Sequence, residues 1–444
     1  MTAVAETPAI DIEPTPVEVV TGGPRLLRPL RLHDFRLLWA GESISTLGDQ
    51  FQFVAMAWLV LGLTGSGLAL GLVLTAAAVP RAALMLLGGA VSDRFSPRSV
   101  LLVSNALRGV LVGILAVLVL SGTIQLVHVV VLAVVFGVCD AFFYPAIGAL
   151  LPRLVDRETL LPSANALFQG TTQLMGLLGP PLAGVMIAAT QTGTAFALNA
   201  ASFGVAAVAL LMMRWRAPRH AASAVVRDAG AGSILASIRA GIAYVWRDDA
   251  LRLLLLMAAV INFAFTGPEA VGLAWLSAGR WGAGALGYGL LTGAFALGAL
   301  AGAATAGSMG QPRRRSRILV GVAAALGVGL AAVGLAPALW MALLIVVPMG
   351  FGAGLINVLA ISWMQARVEV AMLGRVMSLT MLAGVGLAPV SLAIAGLLVD
   401  IAVVPLFVGA GAVVLVTAVL GVTTGAARRL DDDRQAGTPA RRAA

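Results

Sequence analysis

The sequence predicts an all-α membrane protein of about twelve transmembrane helices. Of its 444 residues, 60% are hydrophobic and 11% are charged, whereas a soluble domain averages about 45–50% apolar and about 25% charged residues. Apolar segments long enough to cross a bilayer follow one another along most of the chain. Arginines gather in every second connection between these segments, which is the pattern of cytoplasmic loops.

The composition also excludes several classes of function. All 29 basic residues are Arg, so a phosphate-binding loop with its lysine and lysine Schiff-base chemistry are both ruled out. One cysteine, Cys139, and three scattered histidines offer no disulfide and no metal-ligand spacing. We therefore expect no enzyme activity, no metal and no cofactor. The net charge of +9 belongs with the cytoplasmic loops, so we expect no nucleic-acid partner.

The first half of the chain begins with a polar tail and continues with six apolar segments. Residues 1–36 read as a cytoplasmic N-terminal tail, rich in Pro, Thr and Glu before its arginines. Residues 37–213 form the predicted N-terminal bundle, with spans at 37–63, 67–91, 99–121, 125–150, 164–189 and 194–213.

A polar linker at 214–250 separates this half from a second set of six. Within the linker, apolar residues recur at helical spacing and predict an amphipathic helix at the membrane surface: Ile234, Ile238, Ile242 and Val245. Residues 251–424 form the predicted C-terminal bundle, with spans at 251–276, 285–308, 317–336, 338–364, 376–398 and 402–424. Residues 425–444 form a charged C-terminal tail.

The arginines set the expected orientation. One set of loops carries Arg94, Arg98, Arg153, Arg157, Arg214, Arg216, Arg219, Arg227, Arg313, Arg314, Arg315, Arg317, Arg367, Arg375, Arg428 and Arg429. The opposite loops have almost none, with Arg280 the exception. We therefore expect a multi-pass protein of the cytoplasmic membrane with both termini in the cytoplasm.

The first span carries two acids. Glu42 and Asp49 are seven residues apart, so they lie on one helix face two turns apart. A carboxylate at the centre of a spanning helix costs about 2.5–3.5 kcal/mol on insertion scales, which is why such groups face protein or a water-filled cavity. The two acids are therefore candidates to bind protons or cations.

The loop between spans two and three has a specific pattern. Residues 89–98 (GAVSDRFSPR) place Gly89, Asp93, Arg94 and Arg98 in the order found in the signature loop of the major facilitator superfamily, which this chain resembles. Ser96 and Pro97 depart from the family pattern. Further segments resemble the branch that contains macrolide efflux proteins and enterobactin exporters: 35–41 (FRLLWAG), 48–49 (GD), 141–146 (AFFYPA), 163–166 (SANA), 179–184 (GPPLAG) and 374–378 (GRVMS).

The resemblance implies two pseudo-symmetric six-helix bundles whose spans one, four, seven and ten line a cavity with alternating access. It makes residues 89–98 a cytoplasmic gating loop, and Gly179, Pro180 and Gly184 a helix-bend motif that serves antiport or only packing. The expected proton and substrate pathway comprises Glu42, Asp49, Arg81, Arg108, Asp140, Tyr144, Asn262, Glu269 and Asn357.

Depth along the helices suggests which embedded charges pair. Counting about 1.5 Å per residue from the cytoplasmic ends, Arg81 and Asp49 come out at about 18 Å, and Arg108 and Asp140 at about 15 Å. We therefore predict the ion pairs Asp49–Arg81 and Asp140–Arg108. The alternative is that each arginine extends to the membrane surface.

Together these features favour a proton-driven exporter of an amphiphilic drug or secondary metabolite. Its expected partners are the small-molecule substrate, protons and the lipid bilayer, and we expect a monomer. Two alternatives stay open: a siderophore exporter of the same fold, and a non-transporting membrane scaffold or sensor.

Overall fold

The computed structural model describes residues 24–155, 159–214, 231–309 and 315–423, and these are helical almost throughout, without strands. In the first half a short 3-10 helix, Arg25–Arg31, precedes seven α-helices. These are α1 (His33–Thr64), α2 (Gly67–Arg94), α3 (Pro97–Leu120), α4 (Leu126–Asp140), α5 (Phe143–Leu154), α6 (Leu161–Ala189) and α7 (Thr192–Met212). Because α4 and α5 continue one another, they form a single crossing.

The second half begins with α8 (Ala231–Arg247). The helix α9 (Asp249–Gly267) runs through a π-helical turn (Pro268–Gly272) into α10 (Leu273–Ala278), and the three form one crossing. The remaining helices are α11 (Gly284–Met309), α12 (Arg315–Leu335), α13 (Leu339–Arg367), α14 (Val370–Val385) and α15 (Ala388–Thr423).

The number of crossings follows from the last helical run. Eleven runs in the described residues are long and apolar enough to span a bilayer, and the last, Met372–Thr423, has 52 residues. At 1.5 Å per residue that run is about 78 Å long, against a hydrocarbon core of about 30 Å. Its backbone leaves the helical region at Ala402, with φ −161° and ψ 90°. The run therefore crosses twice, which confirms the predicted twelve spans.

Small residues bring the two halves of the bundle into contact. The halves meet where α2 packs against α15 and where α6 packs against α11. At the first contact Gly71 lies so close to Gly396 that an added Cβ would come within 2.6 Å of the Gly396 Cα. Such backbone approach needs small residues because helices in lipid associate through close packing.

The linker contains the predicted amphipathic helix, α8. Val245 is buried in a cluster with Leu251, Trp363 and Leu379, whereas Ile242 on the same helix is exposed. The side chains of Ile234 and Ile238 lie outside the described residues. Helix α1 begins at His33, four residues before the predicted start of the first span.

Candidate functional site

The fourth crossing breaks at its acid. Helix α4 ends at Asp140 and α5 begins at Phe143. Pro145 explains the break, since a proline has no N–H to donate to the carbonyl of Ala141 and its ring crowds that carbonyl. Asp140, 8% exposed, therefore lies at a helix end inside the membrane-spanning bundle.

Arg108 on α3 is the central cation of the site. Its Nη1 lies 3.2 Å from Asp140 Oδ1, and its guanidinium stacks on the rings of Phe143 and Phe203 at 4.1 and 4.6 Å from their centroids. Only 1% of the side chain is exposed. The predicted Asp140–Arg108 pair is therefore confirmed, and Arg108 does not extend to the membrane surface.

Arg81 on α2 reaches the same acid. Its Nη1 lies 3.4 Å from Asp140 Oδ2, and 39% of its side chain is exposed. The predicted Asp49–Arg81 pair is wrong, because the ion pair of Arg81 is with Asp140. Equal depth along two helices gives no information about the direction in which each side chain leaves its helix.

An asparagine connects Arg108 to the first span. Arg108 Nη2 donates to Asn105 Oδ1 at 2.7 Å, and Asn105 Nδ2 donates to Glu42 Oε1 at 3.0 Å. Glu42 is 3% exposed, and its Oε2 has no hydrogen-bond partner in the described structure. A network that we call the charge network, buried except at Arg81, thus runs through Glu42, Asn105, Arg108, Asp140 and Arg81.

Asp49 lies beside this network with a different partner. Gly48 lets α7 approach closely, since a Cβ there would collide with Asn199 and Ser202. Asn199 consequently reaches α1, where it hydrogen-bonds to Asp49 and donates to Gln52 Oε1 at 2.6 Å. Asp49 therefore has an amide partner and takes part in none of the ion pairs found in the described residues.

Two adjoining cavities open between these helices. The central cavity, about 260 Å³, has Asp49, Arg81, Asp140 and Tyr144 on its wall, with Phe53, Met56 and Phe136 among its apolar residues. The vestibule, about 660 Å³, is lined by α1, α5 and α6 and shares Asp49 and Tyr144 with the central cavity. The vestibule has the volume of a small-molecule site, and the central cavity is slightly smaller than such sites usually are.

The second half contributes one acid to a cavity wall. Glu269 lies in the π-helical turn after Pro268 and borders a small cavity of about 20 Å³ with Phe265, Phe295 and Met349. Neighbouring polar residues are not gathered around it: Asn262 is exposed and donates to the Ala258 carbonyl of its own helix, and Asn357 is exposed on α13.

The predicted gating loop and bend motif have structural contacts. Arg98 donates to the carbonyls of Leu210 and Leu211 at 2.8 and 3.0 Å and so caps the end of α7. Gly89, Asp93 and Arg94 fall within α2, but their side chains lie outside the described residues. In the bend motif, Gly179 packs against Gln50 on α1. Gly184 packs against Ala285 on α11, and the Pro180 carbonyl packs against Gly289 on the same helix.

One end of the bundle is closed by a carboxylate. Asp400 accepts hydrogen bonds from the Gly67 and Leu68 amides and the Ser66 hydroxyl at the start of α2, at 2.7, 3.0 and 2.7 Å. The Trp275 indole donates to the same carboxylate at 3.1 Å. Trp275 belongs to the same half as Asp400, whereas the residues at the start of α2 belong to the other half, and we call their contact with Asp400 the Asp400 clasp. The vestibule lies toward the other end, where exposed residues in the first turns of α6 line it.

Sequence reasoning missed the groups that join the charges. Asn105, Asn199, Phe143 and Phe203 were not predicted to belong to the site. Asn105 could have been predicted from the sequence, because it precedes Arg108 by three residues and therefore shares its helix face. The aromatic rings gave no such signal, since they look like ordinary packing residues in an apolar segment.

Comparison with known proteins agrees with this architecture. Residues 25–440 match a family model described as MFS_3, transmembrane secretion effector. The multidrug efflux pump Tap of Mycolicibacterium fortuitum is 31% identical over 250 residues, 54% of this chain and 56% of that protein. The staphyloferrin A transporter of Staphylococcus aureus is 25% identical over 182 residues, 41% of this chain and 46% of that protein. The chain thus spans about half the length of the curated relatives it matches.

Solved structures show the same fold at low identity. A POT family transporter in complex with a thioalcohol-conjugated peptide superposes with a TM-score of 0.67 and 14% identity. The match covers 91% of this chain and 96% of that one.

Proposed function

Because the chain belongs to the transmembrane secretion effector family of the major facilitator superfamily, we propose that it exports an amphiphilic drug or secondary metabolite in exchange for protons. The observation that carries the proposal is the charge network, whose Arg81 and Asp140 line the central cavity, together with the Asp400 clasp that joins the two halves at one end. Buried charges are costly, and within a membrane they mark ion and substrate pathways.

Alternating access would proceed by rocking of the two halves. In the described conformation the halves touch through α2–α15 and α6–α11, while the vestibule is open. The arginine pattern supports a cytoplasmic position for the open end, and in that orientation this is the state that would load substrate from the cytoplasm. Opening the other end requires the clasp and the Gly71–Gly396 contact to separate.

Three acids are the proposed proton carriers: Glu42, Asp49 and Glu269. Each lies at the wall of a cavity, and none takes part in a direct ion pair among the described residues. A bound proton changes the charge that such a site presents, and it can therefore favour one orientation of the halves over the other. Asp140, held by two arginines, keeps the network in place.

The test is transport into inside-out vesicles with an acidic interior. Wild type should accumulate dyes or macrolides in proportion to the pH gradient, and Asp49→Asn should lose that dependence. Asp249→Asn is a matched control, because Asp249 pairs with Arg252 away from the cavities. Wild type that accumulates none of the compounds under any gradient would refute the proposal.

A siderophore is the second candidate cargo. Arg81 is favoured as a fixed cation for anionic groups because 39% of its side chain is exposed at the central cavity. One relative is named a staphyloferrin A transporter. Including siderophores in the same vesicle assay separates the two cargoes.

Location and assembly complete the proposal. The protein would be a monomer in the cytoplasmic membrane with both termini in the cytoplasm, and its two bundles would comprise residues 37–213 and 251–424. Proteolysis of a terminal tag in right-side-out vesicles tests the orientation: protection supports cytoplasmic termini, and cleavage contradicts them.

A further inference from the structure

The vestibule has a wall of uncharged hydrogen-bonding side chains. Asn165, Gln169 and Thr172 are spaced i, i+4 and i+7 on α6, so they share one helix face. Thr46 and Gln50, four residues apart on α1, line the same cavity. We call these five residues the amide face.

The three amides of this face are available to a ligand. No hydrogen-bond partner for the side chains of Gln50, Asn165 and Gln169 is found among the described residues, and each primary amide offers two donors and an acceptor. The two threonines donate to their own helices, to the Glu42 and Phe168 carbonyls at 2.7 and 3.0 Å. Their oxygens therefore remain as acceptors only.

Packing fixes where part of this face lies. Gly179 on α6 leaves room for Gln50, since a Cβ there would meet the Gln50 Cβ and Cγ at 2.5 and 2.7 Å. Gln50 is thereby held against α6 about 15 Å further along the helix than Gln169, at the end of the vestibule that adjoins the central cavity. Preorganised groups lose less conformational entropy when a ligand binds.

The chemistry of the face matches hydroxyl groups rather than ions. Glu42 Oε1 accepts a hydrogen bond from Asn105 and Asp49 bonds to Asn199, so each of the acids nearest the face already has one amide partner. Amides both donate and accept, as hydroxyls do. Phe143 and Phe168 add apolar surface to the same cavity, against which the C–H faces of a sugar can pack.

The geometry points to a subsite for a sugar or other polyhydroxylated group of the cargo. The adjoining central cavity, with its apolar lining, would take the aglycone, because the two cavities share Asp49 and Tyr144. This inference rests on the proposed function and names its substrate class: a glycosylated or polyhydroxylated amphiphile.

Two neutral fluorescent probes that differ in the sugar provide the test. The purified full chain in lipid nanodiscs is titrated with N-acetyldaunorubicin, which keeps an uncharged sugar, and with daunorubicinone, its aglycone. Wild type should bind the glycoside about tenfold more tightly, as expected for two or three net hydrogen bonds. The variant Asn165→Leu with Gln169→Met should lose that preference while binding the aglycone within about twofold of wild type.

Gln173→Met is the matched control, since Gln173 is exposed on α6 but does not line the vestibule; it should keep the full preference. Equal binding of both probes by wild type would overturn the inference, as would a double variant that weakens both probes equally. Binding needs no pH gradient, so a sugar preference without proton-driven transport would refute the proposed function alone.

Discussion

Asp140 and Glu269 are both acids at irregular points of a spanning helix, but their surroundings differ. Each irregularity has a proline: Pro145 follows the break after Asp140, and Pro268 precedes Glu269 in the π-helical turn. Asp140 is contacted by Arg81 and Arg108. Glu269 takes part in no ion pair or hydrogen bond found in the described residues. The comparison is therefore between a carboxylate held by two arginines and one that has no charged or hydrogen-bonding partner among the described residues.

The difference has a physical basis in the cost of burying charge. Arg108 is almost fully buried, so it needs Asp140 and two aromatic rings to remain in the bundle. Glu269 borders a cavity of about the size of one water molecule. We therefore expect substitution of Asp140 to lower the stability of the fold, and substitution of Glu269 to lower the coupling of transport to proton movement.

The largest expected effect is that of Asp140→Asn. Removing one partner of a buried ion pair leaves the other uncompensated, which costs about 3–5 kcal/mol. The variant should unfold at a lower temperature in detergent and should lose transport. Adding Arg108→Gln should recover part of the lost stability; a double variant that is less stable than Asp140→Asn would contradict the assignment.

Glu269→Gln should lower transport without lowering stability, in contrast to Asp140→Asn. Because the carboxylate has no partner to lose, the thermal unfolding temperature should stay within a few degrees of wild type. Transport driven by a pH gradient should fall at least tenfold if Glu269 carries a coupled proton. Full retention of gradient-driven transport would remove Glu269 from the mechanism.

Asp400→Ala tests the closed end rather than the cavity. The substitution removes the acceptor of three hydrogen bonds from the other half, so the ratio of closed to open molecules at this end should fall about tenfold or more. Spin labels at Thr123 and Leu335, with Cys139 replaced by Ala, would report the separation of the halves. An unchanged distance distribution would show that the clasp does not hold the halves together.

The smallest expected effect sharpens the contrast between the two arginines. Arg81→Gln should lower the free energy of unfolding by less than about 1 kcal/mol, since its ion pair is partly exposed. Arg108→Gln should lower it several times as much. If thermal or chemical unfolding showed the same loss of stability for both variants, solvent exposure would not determine how much each ion pair stabilises the protein.

Helix number and the position of α8 could be predicted because hydropathy and helical periodicity are local properties of the chain. The Asp140–Arg108 pair was also accessible, since depth along a helix follows from counting residues. The predicted Asp49–Arg81 ion pair was wrong because several side chains lie at the same depth. Which of them meet depends on the rotation of each helix and on the angle at which the helices cross. Those quantities are set by close contacts such as that of Gly137 with Ala77 and Pro80, which align α4 with α2.

The amide partners could not be found in the same way. Asn199 reaches Asp49 only because Gly48 removes a side chain from the contact between α1 and α7. A sequence shows a glycine and an asparagine about 150 residues apart without saying that they meet.

The indole of Trp275 gives the molecule its own optical reporter. Its N–H donates to the Asp400 carboxylate within the second half, and its ring lies beside Gly67 of the first half, so separation of the halves would change the polarity around the ring. Tryptophan emission, compared between the native chain and Trp275→Phe, would then follow the turnover of the carrier in real time without any attached label.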